Sequence, residues 1–159
     1  MSQEDVRERI GYLVKQVDQA FRRACEERLR PLGLSISQYA LLRALADAPG
    51  APAAELARRT FVTRQSLRDV LGGLTAVGLV SVAERPDAGR ALPITLTGPG
   101  RALLDQADEI VLDVEHRMTT GFPPGEVRHL ATLLSACARN LTGQPTTAER
   151  EVSEVSEGS

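Results

Sequence analysis

Apolar residues recur at intervals of three and four along most of the chain. The first run is Val6, Ile10, Leu13, Val14, Val17, Phe21, Cys25 and Leu29. That spacing predicts one long helix over 5–30, ended by Pro31 and Gly33. Ser35 or Ser37 caps a second helix, whose apolar face is Tyr39, Leu41, Leu42, Leu45 and Ala46. A turn at 47–50 leads to a short third helix from about Pro52, a favoured first-turn residue, to Arg59. Thr63 caps a fourth helix through Leu74, in which Leu67, Val70, Leu71 and Leu74 form one buried stripe. The period then changes. Residues 79–83 and 91–96 read as short strands around the turn chemistry of 85–90, and Pro93 has to keep its amide position on an outer edge. Helical spacing returns over about 100–119, through Leu103, Leu104, Ala107, Ile110, Val111, Val114 and Met118. It returns again after Pro123 and Pro124, through Val127, Leu130, Leu133, Leu134, Cys137 and Leu141. Residues 143–159 are polar, acidic and without period, the pattern of a disordered tail.

This order predicts a mainly α fold: a winged helix–turn–helix with a two-stranded β-hairpin wing over about 34–99. The N- and C-terminal helices, about 5–32 and 100–142, complete one domain over 1–142. They carry more apolar stripe than a small core needs, which makes them candidates for a dimer interface; a homodimer is the expectation, with packing on their own domain as the alternative.

Charge refines the picture. The 159 residues carry a net charge of −2, but residues 58–101 hold seven Arg against three acids, while residues 102–159 hold four Arg against ten. A basic middle between neutral and acidic ends fits a chain that offers one segment to a polyanion. Of 19 basic residues only Lys15 is Lys; the Arg usage is compositional, its placement is not. There is no Trp, and there are two Tyr and three Phe, too few for an aromatic platform that stacks single-stranded nucleic acid. Cys25 and Cys137 are too few for a disulfide framework. No apolar leader opens the chain and no run reaches the ~20 residues that span a bilayer, so a cytoplasmic protein without membrane contact is expected.

In a helix–turn–helix the second helix enters the major groove of double-stranded DNA, N-terminus first. With Leu67 at the centre of the buried face, Gln65, Asp69 and Gly72 lie opposite. Ser66 and Arg68 flank them, and Arg64 sits at the N-terminal end. Gln bonds adenine and Arg bonds guanine bidentately. Asp69 either accepts from cytosine or, the preferred reading, holds Arg68 or Arg64 in place. Gly72 and Gly73 each weaken a helix interior by about 1 kcal/mol; they imply either a close backbone approach to DNA at Gly72 or early fraying of the last turn. The first amides of this helix, near Thr63, suit a phosphate. Arg85 and Arg90 at the hairpin tip suit the neighbouring minor groove.

Taken together, the stretches Leu32-Gly-Leu-Ser-Ile-Ser-Gln-Tyr-Ala-Leu-Leu42, Glu55-Leu-Ala-Arg-Arg59, Val62-Thr-Arg-Gln-Ser-Leu67, Leu74-Thr-Ala-Val-Gly-Leu-Val80 and Gly89-Arg-Ala-Leu-Pro-Ile-Thr-Leu-Thr97, followed by Gly100, give a sequence that resembles the MarR family of bacterial transcriptional regulators over residues 5–142. The resemblance implies a homodimer held by its first and last helices and bound to a palindromic operator. It implies release when a small, often aromatic or anionic, effector enters a cleft between the dimer helices and the DNA-binding lobe. By position it assigns base reading to Arg64, Gln65, Ser66, Arg68 and Asp69, the wing arginine to Arg90, and capping with phosphate contact to Thr63. Two positions depart from the pattern. Ala88, with Asp87 one place earlier, stands where many members have an Asp two residues before the wing arginine, and Val82 stands where many have Arg.

Other chemistry finds less support. A cleft between the first, second and fifth helices would be lined by Tyr12, Phe21, Tyr39, Leu42 and His116, with Arg43 for an anion. Thiol-based redox sensing would fall to Cys25 or Cys137, both of which read as small core residues; the position used by redox-sensing members falls near Gly11 and Tyr12. His116 with Glu115 and Asp113, and His129 with Glu126, read as ion pairs, so neither a metal nor a cofactor is expected. No nucleophile–base–acid pattern or phosphate-binding glycine loop suggests an enzyme. A winged-helix module that binds protein and not DNA is the competing class, and the clustering of Arg64, Arg68, Arg85 and Arg90 opposes it.

Overall fold

A computed structural model of the chain describes residues 8–83 and 93–143. The elements follow as α1 (Ile10–Leu29), α2 (Ile36–Asp47), α3 (Ala53–Thr60), α4 (Arg64–Ala76), β1 (Val80–Val82), β2 (Ile94–Leu96), α5 (Gly98–Met118) and α6 (Pro124–Thr142). Two compact units divide the chain, Met1–Met118 and Thr119–Ser159.

In the first unit α2 is central, packed against α1, α3, α4, α5 and β2. Leu41, Leu42 and Leu45 of α2 meet Leu56, Leu67, Leu74 and Leu104 in one core, all buried. The start of α2 and the end of α1 have identifiable causes. Ser35, rather than Ser37, caps α2 in a capping box: its Oγ accepts from the Gln38 amide at 3.1 Å, and the Gln38 side chain accepts from the Ser35 amide at 2.9 Å. The adjacent Ile36 amide donates to Glu26 of α1 at 2.9 Å. The first helix passes into a 3-10 turn, Arg30–Leu32, that contains Pro31. Within α1, Cys25 and Leu29 are fully buried, whereas Ile10, Leu13, Val14 and Val17 of the same stripe are exposed, Ile10 by 73%. Arg28 near the end of α1 pairs with Asp113 of α5, and Val17 and Met118 line one hollow between the two helices.

The hairpin is antiparallel, with Val80 opposite Leu96 and Val82 opposite Ile94. Its described strands have three residues each, and residues 84–92, including the start of the expected 91–96 strand, lie outside the described residues. The Ala83 amide donates to the Pro93 carbonyl at 3.1 Å, so Pro93 contributes its acceptor where it has no donor to give. Thr97 knots the base of the wing. Its hydroxyl donates to the Gly78 carbonyl at 2.7 Å and accepts from the Gly100 amide at 3.1 Å, and its own amide donates to the Leu79 carbonyl at 3.2 Å. A Cβ on Gly100 would lie 2.0 Å from the Leu79 carbonyl oxygen. Only glycine lets α5 start this close to the wing.

In the second unit α6 has Pro124 in its first turn and Gly143 as its left-handed C-cap. None of its residues is buried; Leu133, Leu134 and Leu141 are exposed.

Candidate nucleic-acid interface

The fourth helix is presented outward by its own capping. The Thr63 hydroxyl accepts from the Ser66 amide at 3.1 Å, which fixes the first turn. Leu67 and Leu74 are buried, and Val70 and Leu71 pack partly against the core. Arg64, Gln65, Ser66, Arg68 and Asp69 are all exposed, so the structure brings these five candidate residues together on one outward face. Asp69 does not hold an arginine there: it accepts from the Gln65 side chain at 3.3 Å, one helical turn away. No carboxylate among the described residues lies within ion-pair distance of Arg64 or Arg68, whereas Arg22, Arg28, Arg43 and Arg59 are each paired. The helix also runs unbroken past Gly72 and Gly73 to Ala76, against the reading of an early frayed turn. A Cβ at Gly72 would meet nothing within 4 Å. Tight packing inside the chain therefore does not account for that glycine. Arg85, Arg90, Asp87 and Ala88 lie outside the described residues.

The turn before α4 carries an unusual residue. Three helix ends among the described residues close in the same way, with the residue after a left-handed one donating back to the carbonyl five positions earlier: Leu34 to Leu29, Val62 to Ala57, and Leu79 to Leu74. This closure needs a left-handed residue, normally glycine. Gly33 and Gly78 serve twice, at φ of 71° and 77°. The third time it is Phe61, at φ of 55° and 90% exposed. A left-handed backbone costs a residue with a Cβ about 1–2 kcal/mol, and burial of the ring does not offset it.

The candidate effector residues divide. Tyr39 and Arg43 of α2 meet on Asp108 of α5: the Tyr39 hydroxyl donates at 3.0 Å and the guanidinium at 2.7 Å. Asp47 engages the other edge of Arg43 at 2.5 Å. Burial, and then the hydrogen bond to Asp108, push the Tyr39 phenol well above its ordinary range. Asp47 is held below the usual carboxylate range by the Arg43 guanidinium. Two carboxylates thus already match the charge of Arg43. Leu42 is core, and Tyr12 and His116 stand at exposed positions of α1 and α5. Two hollows touch Phe21. One, of about 290 Å³, lies between α1 and α5 and is lined mainly by Val17, Ala24, Val114 and Met118. The other, of about 240 Å³, lies between α1, the start of α2 and the α3–α4 turn.

The thiols are unlike one another. Cys25 is fully buried, and burial, with Glu115 and Glu26 nearby, pushes its thiol up, which opposes a reactive thiolate. Cys137 is exposed on α6. Among the described residues no group of three or more His, Cys, Asp or Glu is placed to hold a metal ion, and no helix is long and apolar enough to cross a membrane. Sequence periodicity missed Asp108, Glu26 and Phe61. Asp108 and Glu26 act across helix pairs that only the tertiary fold creates. Phe61 left a faint signal, as a large apolar residue in a turn where glycine is usual.

Comparison with known proteins agrees with this geometry. A sequence model of the MarR family matches residues 32–91. The HTH-type transcriptional repressor Rv2887 of Mycobacterium tuberculosis is 35% identical over 125 residues, covering 79% of this chain and 90% of the relative. The crystal structure of the M. tuberculosis MarR family protein Rv2887 in complex with salicylic acid superposes with a TM-score of 0.68 at 34% identity, over 81% of this chain and 96% of that one. The structure of the same protein in complex with DNA gives 0.67 at 32% identity, over 81% and 97%. The helix order, the capped and outward-facing α4, the hairpin and these likenesses together place the chain in the MarR family of transcriptional regulators.

Proposed function

We propose that the chain is a homodimeric transcriptional repressor, working in the cytoplasm without catalytic activity of its own, that grips a palindromic operator and is released by a small aromatic or anionic effector. The observation that carries this reading is the outward face of α4. There Arg64, Gln65, Ser66 and Arg68 stand exposed on a helix whose first turn Thr63 fixes, and no carboxylate among the described residues neutralises either arginine. A capped helix N-terminus beside unpaired arginines suits phosphate and base edges together. The repressor Rv2887 has been solved with both DNA and salicylic acid, which supports the two halves of the reading. The uncovered apolar residues of α1 and α6 support assembly as a dimer.

The test is a titration of the purified protein on DNA flanking its own gene, with a salt series and excess random competitor. Binding that survives competitor, with two protomers per site and an affinity that falls steeply with salt, is the expected result. Weak binding removed by random DNA overturns the reading and leaves the protein-interaction module.

A further inference from the structure

Gly72 is a glycine that nothing among the described residues requires. It lies inside α4, with the helix continuing to Ala76, and it lacks the left-handed backbone that makes Gly33 and Gly78 necessary. A Cβ added to Gly72 would meet nothing within 4 Å, whereas one on Gly100 would strike the Leu79 carbonyl. Glycine is the poorest residue after proline for a helix interior, so α4 is weakened here with no compensating contact inside its own chain. The position is not arbitrary. Gly72 follows Gln65 by seven residues, which at helical pitch is about 20° around the axis and about 10 Å along it. It is exposed on the same outward face, one turn after the exposed Arg68 and Asp69. Helical side chains lean toward the N-terminus, so a side chain at 72 would lie over the turn that carries those two residues. Glycine leaves that strip of the helix bare.

We propose that Gly72 is a specificity-determining position: its missing side chain lets the middle of α4 seat against the floor of the major groove, in van der Waals contact with base edges, and so brings Gln65 and Arg68 within hydrogen-bonding reach of them. A helix with its side chains is about 10–12 Å across and the major groove is about 12 Å wide. The bulk on the leading face therefore sets how deep the helix enters. The contact at Gly72 is steric, because inside a helix its amide is already engaged by the carbonyl four residues earlier. Gly72 acts on recognition by setting the distance at which its neighbours read the bases. The proposal rests on the reading of the chain as an operator-binding repressor.

Gly72→Ala, Gly72→Leu and Gly73→Ala are compared in the full-length protein by urea denaturation and by titration on two duplexes of equal length. One duplex is DNA flanking the protein's own gene; the other has random sequence. Gly73 is the control, since a Cβ there would lie toward α2, 3.6 Å from the Gln38 side-chain nitrogen, an ordinary contact. Both alanine variants should raise the urea midpoint, because alanine favours the helix. Only the Gly72 variants should lose affinity for the flanking duplex, about tenfold for alanine and about a hundredfold for leucine. Their binding to the random duplex, held by phosphate contacts, should stay within about twofold of the wild type. Higher stability with weaker binding is a pair of opposite signs that a structural glycine would not give. Four outcomes overturn the proposal: undiminished binding by Gly72→Ala, a loss shared by Gly73→Ala, an equal loss on both duplexes, or a lower urea midpoint for Gly72→Ala. Each of these leaves the repressor reading intact. A wild type that does not prefer the flanking duplex removes that reading, and the role of Gly72 with it.

Discussion

Replacing Arg68 or Gln65 with alanine should cost about 1–3 kcal/mol of operator binding and relax base preference at one position. Competition between operator variants and random DNA checks this, and equal losses on both would mean these side chains touch only phosphate. The expectation follows from exposure and from the absence of a described carboxylate partner. Gln65 differs slightly, since it has to leave Asp69 to reach a base. Helical spacing was enough to put Thr63, Gln65 and Arg68 on one face, because a 3.6-residue period and a capping hydroxyl are local properties. It was not enough to show that Arg43 is already satisfied. The partner, Asp108, is 65 residues away and becomes a neighbour only when α2 and α5 pack. The partner of Asp69 was misplaced for a different reason: Gln65 is a local neighbour one turn away on the same helix, and spacing alone does not rank it against an arginine.

The helices themselves were legible to within a few residues, since caps and periodicity agree at α2, α4 and α6. The strands were legible at their base, where Thr97 and Gly100 hold the Gly78–Leu79 corner, while residues 91–92 of the second lie outside the described residues. Gly100→Ala pushes a methyl into a backbone carbonyl and should destabilise the first unit by about 1–3 kcal/mol or more, measured by urea denaturation. A loss no larger than an exposed Gly→Ala change would show that the corner yields. The α2–α5 link predicts a pH effect. The folded state raises the affinity of Tyr39 for its proton, so the stability contributed is intact below about pH 10, the ordinary phenol value, and is lost as pH rises above it. Tyr39→Phe keeps the ring and removes the proton. Its urea midpoint should fall less between about pH 8 and pH 11 than that of the wild type; parallel curves would place the alkaline loss elsewhere.

For the whole molecule, the apolar residues left uncovered on α1 and α6 were legible as stripes, but a stripe alone does not reveal whether its own chain covers it. The structure answers for Ile10, Leu13, Val14 and Val17, and for Leu133 and Leu134: all remain exposed in the single chain. Leu134→Glu should yield a monomer in analytical ultracentrifugation and weaken operator binding by about a hundredfold, as two linked lobes become one. A dimer that tolerates the charge would place the interface elsewhere. Exposure of half of the α1 stripe has a consequence for how the protein is handled. If that surface is covered only by a second copy, folding and association share one equilibrium, and stability becomes a function of how much protein is present. Dilution then acts as a denaturant. The melting temperature should climb with protein concentration, and at the low copy numbers typical of repressors a protomer without a partner would be the form exposed to proteolysis.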